Sequence, residues 1–321
     1  MILLNTVMLL LWSVVLAVSG SYLVKGLSKM SEILGFEEFS VGFIIMAVAT
    51  SIPEIMVGVY SAMLKNSALS LGNVIGSNIV DLTLVGGILV LLSGGKIKMK
   101  SKTSREDTFW ASMISVLPLI LFFAEGSITR LDGIFLIIVF GLYIRKKILE
   151  SKKFRKRYEE NKKQHKKKEM AKTLFILAIS LTTLLISSKL VVTYAENVSI
   201  ELSLPPILIG LILIAIGTSL PELAFGVQSA ISKHPELSLG DLTGSVVANS
   251  TLVLGITALI YPIYANAILF LTSGMFMFII TFLFSSFVES GHELDWKEGL
   301  SLVFLYIFFL ILEVYLNFIP A

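Results

Sequence analysis

Two glutamates, Glu54 and Glu222, stand inside apolar segments in near-identical surroundings, Ala-Thr-Ser-Ile-Pro-Glu at 49–54 and Gly-Thr-Ser-Leu-Pro-Glu at 217–222. An ionisable side chain at the centre of a membrane-spanning helix costs on the order of 3 kcal/mol on insertion scales, so each needs a compensating role. A protonated acid bonded to a neighbouring helix would satisfy one such residue; the same cluster occurring twice favours two carboxylates sharing a cation. Each proline lacks an N–H and displaces the carbonyl four residues back, at Ala49 for Pro53 and at Gly217 for Pro221. The oxygens freed in this way, with the hydroxyls of Thr50, Ser51, Thr218 and Ser219, can line a polar cavity.

The following apolar segment of each cluster adds to the set. Ser77 and Asp81 lie four residues apart on one helical face, as do Ser245 and Asn249, and an apolar residue would pack at these positions without a polar penalty. Gly72 and Gly76, like Gly240 and Gly244, have the GxxxG spacing that lets backbones approach, here expected between the two helices of one copy. Carboxylates, hydroxyls and carbonyls form a hard, all-oxygen set suited to Ca²⁺ and Na⁺. The chain has no cysteine, and His165, His234 and His292 fall in expected loops, which excludes a zinc or copper centre.

The elements that must position these residues are membrane helices. Of 321 residues 55% are hydrophobic and 15% charged, and the apolar runs reach the length of about 20 residues that a bilayer requires. Ten spans are expected, at 2–24, 39–64, 70–93, 108–124, 130–149, 171–195, 205–231, 238–260, 263–288 and 297–318. Residues 42–92 align with 210–260 without a gap, at roughly half identity, as in a duplicated transporter half. The expected organisation is all-α: 1–150 as a first five-helix half, 151–170 as a basic cytoplasmic linker, and 171–321 as a second five-helix half.

Charge sets the expected orientation. Lys96, Lys98, Lys100, Lys102 and Arg105 crowd one connection and the stretch from Arg145 to Lys172 another, so both are expected in the cytoplasm, with both termini outside. Five spans per half is an odd number, which inverts the second copy relative to the first. The basic run Lys152 to Lys168 could dock on anionic lipid, but a retained solvated loop explains it sufficiently. A sequon at Asn197 to Ser199 falls on the expected outer face. A net charge of +3 confined to such loops leaves no folded basic surface for nucleic acid.

With these residues in place, the chain resembles the Ca²⁺:cation antiporter superfamily, specifically its sodium/calcium exchanger branch. The repeat cores carry the resemblance, and the ten-span layout extends it over nearly the whole chain. It implies Ca²⁺ on Glu54 and Glu222 with the carbonyls of Thr50 and Thr218, and flanking sodium sites. One of these is Glu54, Ala215, Thr218, Ser219 and Ser245; its mirror is Glu222, Ala47, Thr50, Ser51 and Ser77. Asp81 and Asn249 hold the family's central acid and amide, exchanged between repeats relative to archaeal members, which moves one acid across the pseudo-twofold axis. Asp241, aligned with Asn73, has no assigned role.

The resemblance implies a secondary antiporter, not an enzyme, that exchanges Na⁺ for Ca²⁺ by alternating access, with Ca²⁺ extrusion driven by the Na⁺ gradient. No cofactor is expected; the partners are the ions and the lipid bilayer, and a monomer suffices. Three crowded acids favour a proton on one of them, Asp81, so H⁺/Ca²⁺ exchange and a K⁺-dependent variant stay open. A cation channel would need a continuous pore, usually between symmetric subunits. A membrane metalloprotease fails because His292-Glu293 is not followed by a second histidine.

Overall fold

The computed structural model describes residues 1–34, 48–99, 102–152, 166–231 and 235–318. Among these, eight helical segments are long and apolar enough to cross a bilayer: Ile2–Gly26, Ser67–Leu92, Arg105–Glu125, Met170–Leu202, Pro206–Ile231, Pro235–Ile260, Ala267–Gly291 and Trp296–Leu316. The chain is an all-α, multi-pass membrane protein. Two of the ten expected spans stand outside this set. The one at 39–64 begins in residues that are not described, leaving the apolar helix Ile52–Met63. The one at 130–149 is the 23-residue helix Arg130–Lys152, whose ends carry Arg130, Asp132, Arg145, Lys146 and Lys147. Most of the basic run at 152–168, with His165 and His234, also lies outside the described residues.

The repeat in sequence is a repeat in local structure. Helix Ile52–Met63 has its counterpart in Leu220–Ile231, and Ser67–Val80 in Pro235–Ala248. A π-helical turn follows in each copy, Asp81–Val85 and Asn249–Val253, and then Gly86–Leu92 and Leu254–Ile260. Every one of these boundaries falls at the aligned position. Each π turn carries a back-bonding threonine: Thr83 donates its hydroxyl to Ile79 O, and Thr251 to Val247 O at 2.5 Å. A hydroxyl that occupies the carbonyl four residues back competes with the α-helical bond. The backbone then reaches one residue further, Gly86 N–H to Asp81 O and Leu254 N–H to Asn249 O.

The prolines break the preceding helix. Ser51 and Ser219 leave the helix with matching angles, φ −78° and ψ 1° against φ −82° and ψ −1°. Each break sets the C-terminal end of one half-helix, with its free carbonyls, beside the N-terminal end of the next, where Glu54 and Glu222 occupy the first turn.

Across the molecule, Ser67 Oγ donates to Pro262 O at 2.9 Å, Ser70 and Thr257 pair at 3.0 Å, and Asn78 Nδ2 donates to Ser250 at 3.0 Å. Span Ser67–Leu92 therefore runs antiparallel to its own counterpart, Pro235–Ile260. Its glycines serve a different contact from the expected one. A Cβ on Gly72 would stand 2.0 Å from Ile207 O, and one on Gly76 2.2 Å from Leu211 O. The close approach is to the broken helix of the other repeat, not to a neighbour in the same copy.

These four helices form the interior. Ser67–Leu92 is 83% buried over its apolar window, whereas Ile2–Gly26 and Met170–Leu202 are 28% and 33% buried. The latter two pack antiparallel at the periphery, joined by Asn5 Nδ2 to Glu201 Oε1 at 3.1 Å near one end and by Gly26 against Leu177 near the other. Helix Ile2–Leu34 also crosses both breaks, since a Cβ on Gly20 would meet Pro221 Cγ at 3.0 Å and Pro53 Cγ at 3.1 Å.

Two short pairings tie the connections together. Lys96–Lys98 and Glu293–Asp295 form an antiparallel ladder with Lys96 Nζ 2.5 Å from Glu293, and Arg105 Nε lies 3.3 Å from Glu289. Ile128 bridges Ile263 elsewhere. Each pairing places two connections on a common face of the membrane. The sequon falls within helix Lys166–Leu202, where Ser199 is buried and donates to Leu204 O at 2.7 Å.

Candidate functional site

The two breaks and the two spans that cross them bring eleven of the twelve expected residues to the interior: Glu54, Glu222, Thr50, Thr218, Ser51, Ser219, Ala215, Ser77, Ser245, Asp81 and Asn249 are all buried. Ala47 lies outside the described residues. Burial makes an unpaired charge at Glu54 or Glu222 costly.

The hydroxyls join across the repeats. Ser77 and Thr218 lie 3.0 Å apart, and Thr218 Oγ1 donates to Asn73 Oδ1 at 3.0 Å. In the mirror arrangement Thr50 and Ser245 lie 3.2 Å apart, and Thr50 Oγ1 faces Asp241 Oδ1 at 3.5 Å. Glu54 faces the hydroxyls of Thr218 and Ser77, and Asp81 faces Ser219. Ser77 is thus grouped with Glu54 and Thr218, and Ser245 with Thr50, an exchange of the two serines relative to the sets implied by resemblance.

The carboxylates are left with oxygen lone pairs to spare. Neither oxygen of Glu54, Asp81 or Glu222 has a protein hydrogen-bond partner, nor does Asp241 Oδ2 or Asn249 Oδ1. Glu222 lies within electrostatic reach of Glu54, Asp81 and Asp241. Buried polar atoms in folded proteins are almost always paired, so this cluster of orphaned oxygens, beside the unpartnered Asn73 Nδ2 and Ser219 Oγ, is an exception that calls for an explanation. Among the described residues, no three His, Asp or Glu side chains converge closely enough to hold a metal on their own. Any cation here would draw on the hydroxyls and on carbonyls at the breaks as well.

One residue in the site was not singled out from the sequence. Asn78, one position past Ser77, is fully buried and ties three elements together. It accepts from Asn249 Nδ2 at 3.1 Å and donates to Ser250 at 3.0 Å and to Met277 Sδ at 3.3 Å. This leaves Asn249 Oδ1 as the free end of its amide. Its aligned residue is Val246, so the repeat gave no hint, although a polar residue in the most buried span was signal enough.

A family model described as "Sodium/calcium exchanger protein" matches residues 4–148 and 172–315. The sodium/calcium exchanger MaX1 of Methanosarcina acetivorans is 29% identical over 98% of this chain and all of its own length. The inner membrane protein YrbG of Escherichia coli is 24% identical over 88% of each chain. Among solved structures, the sodium-calcium exchanger NCX_Mj superposes with a TM-score of 0.69 over 97% of this chain and 99% of that one; at 24% identity this similarity concerns the fold. With both halves of the chain matched by one family model, and with the paired acid clusters where the fold brings them together, the protein belongs to the sodium/calcium exchanger family.

Proposed function

We propose that the chain is a secondary antiporter that exchanges Na⁺ for Ca²⁺ at one site built around Glu54 and Glu222. The observation that carries this reading is the four unpartnered carboxylate oxygens of those residues, each pair in the first turn of a broken helix. One Ca²⁺ neutralises both carboxylates, and so do several Na⁺, so the two loads exclude one another and the empty, doubly negative site resists crossing. Competition supplies the coupling without further machinery. If more than two Na⁺ move per Ca²⁺, membrane potential adds roughly 2.3 kcal/mol per charge per 100 mV to extrusion.

Ca²⁺ takes Glu54, Glu222 and the carbonyls of Thr50 and Thr218 in this reading. Sodium takes the flanking hydroxyl sets, Thr218, Ser219 and Ser77 on one side and Thr50, Ser51 and Ser245 on the other, with Ala215 and Ala47 contributing carbonyls. The ten-helix, inverted-repeat organisation is supported by the antiparallel course of Ser67–Leu92 and Pro235–Ile260. The two pairs of connections that share a face, 96–98 with 293–295 and 128 with 263, are compatible with five spans per half. Helix Ile2–Leu34 lies across both prolines with only Gly20 between them, and with its antiparallel partner Lys166–Leu202 it is the element free to slide and expose the site alternately.

Uptake of radiolabelled Ca²⁺ into proteoliposomes under outward Na⁺, H⁺ or K⁺ gradients tests this. Na⁺ is expected to drive uptake, and Glu54→Gln or Glu222→Gln to abolish it. Uptake driven by H⁺ alone would favour proton exchange, the reading that Asp81, a third buried acid beside Glu54, supports. Flux that persists without any counter-ion would indicate a channel.

A further inference from the structure

One charge within the apolar helices has no part in the paired acid site. Among the eight apolar segments, Lys189 in Met170–Leu202 is the one basic residue more than a turn from either end. It is exposed at the periphery of the molecule, and among the described residues its side chain has no hydrogen-bond, ion-pair or ring partner. Lys147, by contrast, is buried and paired with Asp107. Thr182 and Thr193 share the Lys189 face of the helix, two turns before it and one turn after, and each turns its hydroxyl back on its own helix, to Ala178 O and Lys189 O at 2.9 Å. The ammonium is therefore the polar group this face leaves open to lipid. The register that aligns 42 with 210 sets Lys189 opposite Ser21, which donates to Ala17 O at 3.0 Å, so the charge belongs to one half only.

Its depth follows from the contacts of helix Lys166–Leu202 with Ile2–Leu34. Asn5 is level with Glu201 and Gly26 with Leu177, which sets Gly20, and with it both prolines, level with Leu184. Lys189 then stands on the Asn5 side of that level by about 7 Å, at 1.5 Å per residue. With the ion site at the bilayer midplane, as the exchange reading places it, the nearer headgroups begin about 15 Å out. Lys189 is thus rooted in hydrocarbon, where a charge is costly and draws an anion or water toward it. The Cα–Cβ bond adds to the difficulty, since it tilts toward the helix N-terminus and so away from the nearer surface. Glu196, two turns further along, is not paired with it. A lipid phosphate lies at the end of the same exposed face and can be drawn inward to a lysine stem that bends out to meet it. A net-anionic headgroup fits better than a zwitterionic one, whose own cation competes with the ammonium. We infer that Lys189 binds the phosphodiester of an anionic glycerophospholipid in the leaflet on the Asn5 side, held against the exposed face of helix Lys166–Leu202. The depth rests on the exchange reading; the exposure and isolation of Lys189 do not.

The test uses full-length protein reconstituted in phosphatidylcholine vesicles that carry trace spin-labelled phosphatidylglycerol or phosphatidylcholine, with the motionally restricted fraction of each read by electron paramagnetic resonance. The basic connections also attract anionic lipid, so the measurement is made in about 1 M KCl, where a Debye length of about 3 Å screens exposed charges and leaves a partner inside the hydrocarbon. Wild type is expected to prefer phosphatidylglycerol about threefold, Lys189→Arg to keep the preference, and Lys189→Leu to lose it. No preference in the wild type, or an equal one in Lys189→Leu, overturns the proposal. Should Lys189→Leu fail to fold, Lys189→Gln is expected to lose the preference in the same way, and a preference it retained would overturn the proposal equally. Na⁺-driven Ca²⁺ uptake by the same wild-type vesicles separates the two readings: uptake without lipid preference sinks only the lipid site, and lipid preference without uptake sinks only exchange.

Discussion

The two halves of the site share one backbone and differ in the side chains laid on it. Around Thr218 the partners are Ser77 and the amide of Asn73; around Thr50 they are Ser245 and the acid of Asp241. In the span centres the order reverses, with Asp81 in the first repeat and Asn249 in the second. A duplicated transporter thus keeps its symmetry where geometry is made, at the prolines, glycines and back-bonding threonines, and spends its divergence where charge is placed. In an alternating-access cycle the two states would be near-mirror images, whereas the ions carried need not be bound symmetrically.

The largest effect expected of any variant is at the residues in which the halves agree. Glu54→Gln and Glu222→Gln each remove one of two charges facing the same ion, and Na⁺-driven Ca²⁺ uptake should fall by about a hundredfold or more in both, the usual scale for deleting a buried hydrogen-bonded charge of 2–5 kcal/mol. Equal losses would confirm that the acids act as a pair. A loss confined to one would show that the asymmetry reaches the centre of the site.

A second break in the comparison comes at Gly20, which touches both prolines at once. Gly20→Leu would force the peripheral helix off the two broken helices, since a Cβ alone already comes within 3.0 and 3.1 Å of the two rings, closer than ordinary van der Waals contact, with three further carbons to place. Transport should slow about tenfold or more, with Ca²⁺ binding at equilibrium nearly preserved, because the site itself is untouched. Loss of binding and transport together would mean that Gly20 supports the site and does not gate it.

Next in size is Asn78. Asn78→Val copies Val246 into the first repeat and leaves Asn249 Nδ2 without its acceptor, a cost of about 1–3 kcal/mol for a buried group. The amide of Asn249 is then free to turn over and offer nitrogen in place of oxygen to the cavity, so half-saturation for Ca²⁺ should rise about tenfold while maximal uptake changes less. Asn78→Ser, which retains a hydroxyl acceptor, should recover part of the affinity. Unaltered affinity in Asn78→Val would remove it from the positioning of the site.

What could be read from the chain in advance follows the same division. The acid clusters, the repeat and the hydroxyl faces were legible because they are local: Pro53 next to Glu54 and Ser77 four residues before Asp81 say what they do within one helix turn. Pairing between copies was not, since nothing in either repeat shows that Ser77 meets Thr218 and Ser245 meets Thr50, and each copy taken alone suggested that Gly72 and Gly76 face their own neighbour. The π turns were hidden for another reason, because threonine inside an apolar helix usually bonds its i−4 carbonyl without unwinding it. The ladder between Lys96–Lys98 and Glu293–Asp295 joins segments of three residues, too short for any alternation to register.

The smallest expected effect contrasts two serines at aligned positions. Ser70 faces Gly58 and pairs with Thr257 at 3.0 Å, joining the repeats; its counterpart Ser238 faces Gly226, meets Leu89 where Thr257 would be, and its hydroxyl has no partner. Hydrogen bonds between membrane helices contribute about 0.6 kcal/mol on average, and Thr257 retains its own bond to Val253 O at 2.9 Å when Ser70 is removed. Ser70→Ala should therefore lower the melting temperature in detergent by a degree or two, on the scale set by about 0.5 kcal/mol in a protein of this size. Ser238→Ala removes an unsatisfied buried hydroxyl and should leave stability unchanged or slightly raised, since replacing an unpaired polar group by an apolar one of similar shape costs nothing in bonding. If instead Ser238→Ala is the more damaging of the two, its hydroxyl has a partner in some other state of the transport cycle, and the asymmetry between the halves belongs to one conformation and not to the protein.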